Sequence, residues 1–456
     1  MNLLISLTAL GVVAMFGGIL KFRSLVMPLS VLGIIGASLM GIYAWNTNQS
    51  FLNDMMRMDN YAIAFSIVCM AGALLTILFF HFFHSEDEPH YAEAVSLMLF
   101  AVAGCVVMVS FTNLLMLFLG IEILSLSLYV LAGLRKKDLL SNEASLKYFL
   151  MGAFSTGFLL FGIALLYGTT GSFSTTQIAY QLGMAGMNGM AAMGLLLLMI
   201  GLLFKVAAVP FQFWAPDVYQ GAPTIITGFM ATVGKVAAFA AFLRLFQLCF
   251  APSKEGYQLV IGAVAAITML AGNIIAIYQS SMKRMLAYSS IAHAGYMLIA
   301  VMTLNASSNS SILFYSVAYS LASLSSFVIV MGVQQNRTHD RAEDFNGLGK
   351  TNPWIAFALA VSMLSLSGIP ATAGFFGKFY VFSSAVSDGF IWLIAVAVIS
   401  SFISVYYYLR PVIAAYSKPT HEPAMVMPRG TSTLLVILAL LTIALGMLPG
   451  ILAGII

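Results

Sequence analysis

Charge is scarce in this sequence. Asp, Glu, Lys and Arg make up 8% of the 456 residues, where soluble domains carry about 25%. Hydrophobic residues make up 61%. So little charge excludes a soluble globular chain and suits one whose surface mostly meets lipid. Backbone groups in lipid must be satisfied within their own segment, which leaves helices or a closed barrel. The apolar runs are about 20 residues long and do not alternate, so they read as membrane helices. Cysteine is nearly absent too. Cys69, Cys105 and Cys249 lie far apart in apolar runs with no CxxC pair, which removes support for iron–sulfur or zinc ligation. They read as small buried hydrophobes. Net charge is +4, too little to point to nucleic acid. The opening residues MNLLISLTALGVVAMFGGIL lack a basic leader and a small-residue cleavage site, so they are expected to form a first span.

The expected fold is an all-α integral membrane protein of fourteen spans, near 2–20, 25–45, 61–84, 92–109, 112–134, 144–169, 187–216, 222–249, 257–279, 283–304, 309–333, 353–386, 388–414 and 431–453. The polar stretches 45–60, 171–186, 334–352 and 415–430 are expected as loops. Lys21, Arg23, Arg135, Lys136, Lys137, Lys283, Arg284, Arg337, Arg341, Lys350, Arg410, Lys418 and Arg429 fall on one side of this layout, and Arg57, Arg244 and Lys254 on the other. The positive-inside rule then puts the richer side in the cytoplasm and both termini outside.

Four lysines remain within spans: Lys147, Lys205, Lys235 and Lys378. Lys205 lies in GLLFKVAAVPFQFWAPD, five residues before Pro210. Lysine and proline are both costly in one membrane helix. Span 12 repeats the combination in LSLSGIPATAGFFGKF, with Pro370 and then Lys378. Interrupted helices five spans apart suggest two units, residues 92–249 (spans 4–8) and 257–414 (spans 9–13). Residues 1–91 form an N-terminal three-helix segment and 431–453 a final helix. An odd number of spans inverts the second unit relative to the first, the arrangement of transporters with discontinuous helices.

Intramembrane ionisable groups are functional candidates by default. Glu122, mid-span 5, joins Lys205, Lys235 at the centre of span 8 and Lys378 in one set. Desolvation disfavours the charged form of an amine and a nearby carboxylate restores it, so such a row stores and passes protons. The bland alternative is an ion pair such as Glu122–Lys205 that only fixes packing. A buried pair seldom gains stability over apolar residues. Ser125, Ser127, Thr232 and Ser367 are candidates to link the row. A break at the proline admits water beside the lysine. Lys147, a turn inside span 6, can also snorkel to the surface. His293, in span 10, reads equally as a proton relay or a hydrogen-bonded structural group. HFFHSEDEPH, residues 81–90, meets no metal-ligand spacing and reads as a solvated loop. GMAGMNGMAAMG, residues 183–194, follows no strand and is not a dinucleotide fingerprint.

From about residue 60 to 415 the chain resembles the N-type membrane subunits of bacterial respiratory complex I, the proton-pumping NADH:quinone oxidoreductase. The resemblance rests on FKVAAVPFQFWAPDVYQGAPTIITGFMATVGKVAAF, EASLKYFLMGAFSTGFLLFG, MKRMLAYSSIAHAGYML and LSLSGIPATAGFFGKFYVF. It implies a non-redox, proton-translocating subunit in the bacterial inner membrane. It assigns the motif's ionisable positions to Glu122, Lys147, Lys205, Lys235 and Lys378, with Lys378 toward the outer exit. It also implies no flavin, iron–sulfur cluster or haem on this chain: NADH, FMN, iron–sulfur clusters and quinone would belong to partner subunits, and the neighbours would be antiporter-like (M-type) and small membrane subunits. Relatives often carry histidine where this chain has Gln212, which cannot titrate. The alternatives are a subunit of a multisubunit cation/proton antiporter and a scaffold with non-pumping ion pairs.

Overall fold

The computed structural model describes the whole chain apart from residues 21, 338, 418–422 and 453. Lys21 and Lys418, counted above for orientation, and the end of the expected last span therefore lie outside the described residues. Helices occupy the apolar runs, and among the described residues ten are long and apolar enough to cross a membrane. Asn2–Ile19 and Arg23–Tyr43 pack as a pair, and Asn60–Phe83 and Tyr91–Ser110 follow. Polar caps set several starts: Asp59 accepts from the Ala62 amide, Asn113 from Leu115, Asp138 from Leu140 and Asn188 from Ala191.

Burial sorts the helices. Met282–Thr303 lies at the centre, 94% of its apolar window buried, with Tyr91–Ser110 and Ser308–Asn336 nearly as enclosed. Asn2–Ile19, Arg23–Tyr43, Leu139–Thr170 and Ile391–Ser417 are peripheral. Where inner helices cross most closely, glycine makes room. A Cβ on Gly104 would come within 2.7 Å of the Leu124 amide, and one on Gly120 within 2.7 Å of the Met108 amide. Gly272 and Gly295 do the same where Lys254–Ile277 crosses Met282–Thr303.

Two helices are interrupted at the prolines. Gly189–Lys205 stops, and Trp214–Gly221 resumes after a break holding Pro210 and Ala207 at φ +58°. Trp214 Nε1 donates at 3.0 Å to the Phe204 carbonyl, which also accepts from the Ala207 amide at 3.0 Å, so the two sides of the break are tied together. Pro353–Ser367 stops likewise before Ala373–Ser387, with Gly368 at φ +84° and Ala371 at +70° between them.

The expected loops depart from the sequence reading in three places, one being 334–352, which holds the short helical turns Ala342–Phe345 and Leu348–Thr351. Residues 45–60 contain a two-stranded hairpin, Gln49–Phe51 against Met56–Met58. Leu52, Asn53 and Asp54 hold positive φ in the turn between the strands, and Asn46 and Asn48 hold it just before the first; Asn and Asp adopt it more readily than most residues. The 171–186 stretch contains the helix Thr175–Ala185, anchored by Ile178 and Leu182, one helical turn apart. A further irregularity lies inside a span. The helix from Thr224 passes through a π turn, Met230–Gly234, immediately before Lys235.

Candidate functional site

Glu122 sits midway along Leu114–Ala132, half-buried, where its Oε1 accepts from Thr156 Oγ1 at 2.8 Å. Lys205, the last residue before the first break, donates from Nζ to Ser125 Oγ at 2.7 Å. Ser125 is three residues after Glu122 on the same helix, so the two side chains share a face. Among the described residues, no Glu122–Lys205 ion pair lies within 4.0 Å; serine stands where the bland reading put the carboxylate. The Tyr148 ring centroid lies 6.0 Å from the Lys205 ammonium.

Lys235, 3% exposed, begins the α segment after the π turn. Its Nζ donates to both the carbonyl and the hydroxyl of Ser290, each at 2.5 Å. Lys378, 5% exposed, lies one turn beyond the second break. Its Nζ donates to the Ser367 carbonyl at 2.7 Å and Ser401 Oγ at 2.8 Å, with the Tyr296 ring centroid 4.8 Å away. The Lys378 side chain runs against Gly368, where a Cβ would meet Lys378 Cδ at 2.9 Å. π turns and broken helices recur at functional sites because they release backbone groups and redirect side chains.

His293 is buried among tyrosines. Its Nδ1 is 2.6 Å from Tyr315 Oη and its Nε2 is 3.1 Å from Tyr408 Oη. Tyr408 Oη also bonds Ser289, next in sequence to Lys235's partner Ser290. A cavity of about 10 Å³ beside His293, Tyr315 and Tyr319 has room for roughly one water. Asn273, Tyr296, Ser400 and Tyr407 form a second buried polar cluster alongside.

Some expected residues lie elsewhere. Lys147 pairs with Glu143 at 2.7 Å and Asp217 at 2.9 Å, its side chain 41% exposed. Arg284 shares Asp217 at 2.9 Å, so Lys147 belongs to a network at one membrane face and not to the buried row. Of the suggested linkers, only Ser125 meets a lysine with its hydroxyl; the hydroxyls of Ser127, Thr232 and Ser367 bond the carbonyls of Ile123, Gly228 and Leu364 on their own helices, and Ser367 reaches Lys378 through its backbone carbonyl alone. Gln212 is buried, and its Oε1 has no hydrogen-bond partner among the described residues. His81 bonds Tyr91 Oη at 3.0 Å, and among the described residues no three His, Cys, Asp or Glu side chains gather as a metal site.

Two cations placed in loops by sequence are buried instead. Lys283 donates to the carbonyls of Gln220 and Ala222, holding the end of the broken helix. Arg244 grips Asp59 with two nitrogens at 2.9 Å and donates from Nε to the Phe111 carbonyl at 2.9 Å. The partners of both are 60 residues or more away in sequence, so no local pattern marks their burial. The serine partners Ser290 and Ser401, and the tyrosines around His293, carried no sequence signal beyond polar residues in apolar runs.

Residues 112–404 match the family model described as "NADH:quinone oxidoreductase/Mrp antiporter, TM". The chain is 42% identical to the NADH-quinone oxidoreductase subunit N of Cytophaga hutchinsonii, over 99% of this chain and 98% of that one. A chain in the structure of respiratory complex I from Thermus thermophilus with bound aureothin superposes with a TM-score of 0.84 at 35% identity, covering 98% of this chain and 97% of that one. A chain of the Mrp complex from Dietzia sp. superposes with a TM-score of 0.88 over 99% of this chain and 95% of that one, but at 20% identity it speaks for the fold alone. Matched along nearly its whole length, the chain belongs to the NADH:quinone oxidoreductase/Mrp antiporter transmembrane family, among the N subunits of NADH-quinone oxidoreductase.

Proposed function

We propose that this chain is the proton-translocating N-type subunit of a bacterial NADH:quinone oxidoreductase. It moves protons across the inner membrane through Glu122, Lys205, Lys235 and Lys378 in response to redox chemistry on partner subunits. One observation carries this reading. Three lysines turn inward, each at an irregularity of its helix, and each ammonium is met by a serine hydroxyl: Ser125, Ser290 and Ser401. Packing alone does not call for three such costly groups in one apolar bundle.

The mechanism follows from what each group can do. With Lys205 on Ser125, Glu122 stays with Thr156; a swing of about one helical turn brings the opposite charges together. Two unit charges at 4 Å attract by about 4 kcal/mol at an effective dielectric of 20. Making and breaking that pair changes how firmly Lys205 holds its proton, and Lys235 is the next buried acceptor. Ser290, Ser289, Tyr408 and His293 then offer hydroxyls and imidazole toward Lys378, which faces the outer exit. Redox groups and quinone belong to partner subunits; this chain's role is non-redox.

The same reading holds fourteen spans, with residues 92–249 and 257–414 as inverted repeats, 1–91 as an N-terminal segment and 431–453 as the last helix. It is supported by the two broken helices at corresponding positions and by the matching glycine crossings, Gly104 with Gly120 and Gly272 with Gly295. The lysine- and arginine-rich face is cytoplasmic and the termini lie outside. The test is a Lys235→Met enzyme in proteoliposomes. Loss of proton translocation per electron with intact assembly is expected; normal pumping overturns the relay. Absence of flavin and iron–sulfur absorbance from the purified complex overturns the respiratory assignment.

A further inference from the structure

A cleft of about 590 Å³ opens between the loops 84–90 and 133–138, away from the buried lysines. Arg135, Lys136 and Lys137, three consecutive cations, line it with His84 and His90. All three are exposed, and among the described residues no carboxylate lies within 4.0 Å of their charged ends. Two carboxylates, Glu88 and Asp138, also line the cleft and are outnumbered by the three cations; each is turned toward a backbone amide. Asp138 accepts from the Leu140 amide at 3.0 Å and Glu88 from the Ser85 amide at 3.0 Å.

We propose that this cleft binds the phosphate headgroup of an anionic phospholipid. Its position favours lipid over a soluble anion. It lies at the ends of four helices, Asn60–Phe83, Tyr91–Ser110, Leu114–Ala132 and Leu139–Thr170, which is headgroup level. Phe80 and Pro223 supply apolar wall. Beyond Asp138, Leu139, Leu146 and Leu150 present exposed side chains down the peripheral helix, a track for the acyl chains of a lipid whose phosphate sits in the cleft. Juxtamembrane Lys and Arg clusters attract anionic lipids, each cation near the surface contributing roughly fivefold in affinity. The assignment does not depend on the direction or route of proton transfer.

The test uses the assembled complex in phosphatidylcholine vesicles containing a minor fraction of photoactivatable phosphatidylglycerol, with crosslinks mapped by mass spectrometry. Crosslinks on loop 133–138 are expected with this probe and not with photoactivatable phosphatidylcholine. A combined Arg135→Gln, Lys136→Gln, Lys137→Gln variant should lose them by about tenfold or more, whereas Arg135→Lys keeps them. Equal labelling by both probes, or labelling unchanged in the triple variant, overturns the site. Displacement of the lipid by millimolar inorganic phosphate overturns the lipid assignment in favour of a soluble phosphate. If the triple variant does not assemble, the comparison of the two probes on the unmodified complex decides.

Discussion

Lys205 donates to Ser125 at 2.7 Å, while Glu122, one turn earlier on the same helix, accepts from Thr156 at 2.8 Å. Each charge therefore has its own neutral partner, and the two are held near each other without closing a pair.

Replacing Ser125 with alanine removes the hydroxyl that keeps Lys205 away from Glu122. A hydrogen bond to a charged group is worth about 1.5–3 kcal/mol. The expected result is a loss of roughly tenfold or more in NADH-driven acidification of inverted vesicles, at unchanged subunit abundance. Unchanged acidification means Ser125 has no part in positioning Lys205.

Tyr408 touches both Ser289 and His293, whereas Tyr315 touches His293 at the other ring nitrogen. Tyr408→Phe interrupts the path between the serine pair and the imidazole. Tyr315→Phe leaves that path whole. Tyr408→Phe should slow proton translocation by about fivefold, the worth of one neutral hydrogen bond, and more than Tyr315→Phe does. Equal effects in single-turnover measurements with a pH-sensitive dye would falsify this route.

Arg244→Ala deletes the guanidinium that grips Asp59 and the Phe111 carbonyl. Breaking a fully buried pair by removing one partner costs about 3–5 kcal/mol; with the Asp59 side chain 27% exposed, water recovers part of that cost here. The purified complex should unfold at lower temperature, and less of the subunit should reach the membrane. Asp59 also caps its own helix, so Asp59→Ala should be at least as damaging. Wild-type thermal stability in both variants would show that the clamp adds nothing.

Gly120 lies two residues before Glu122 at a crossing with no room for a methyl group, its Cβ position 2.7 Å from the Met108 amide. Gly120→Ala must push Leu114–Ala132 outward and carry Glu122 with it. Overpacking of this kind typically costs about 1–3 kcal/mol. Gly36→Ala is the control, since nothing lies within 4 Å of the added carbon. The first variant should lose pumping and stability while the second keeps both; matching behaviour in heat-inactivation and vesicle acidification rules out a packing role for Gly120.

Much of this arrangement was written in the chain. The apolar runs located the membrane helices, and Pro210 and Pro370 marked the two interruptions, because proline acts on its own backbone and needs no distant partner. The inward lysines were legible for a related reason: a charge in the middle of an apolar run has few places to go. Partners were harder. Ser290 is one of many serines in apolar helices, and nothing local separates it from Ser127, which bonds only its own helix. Lys283 and Arg244 looked like loop cations because burial at a helix end is decided by other segments folding over it. The π turn before Lys235 had no sequence mark at all, since MATVG is ordinary helical composition.

The bend at Gly368 shapes the seat of Lys378. With φ at +84°, a side chain at 368 would be strained, and its first carbon would lie 3.2 Å from the Lys378 ammonium nitrogen. Only a residue with no Cβ lets the chain turn and leaves the amine its berth beside Ser367 and Ser401. Any side chain at this position would therefore strain the corner and crowd the amine in a single step.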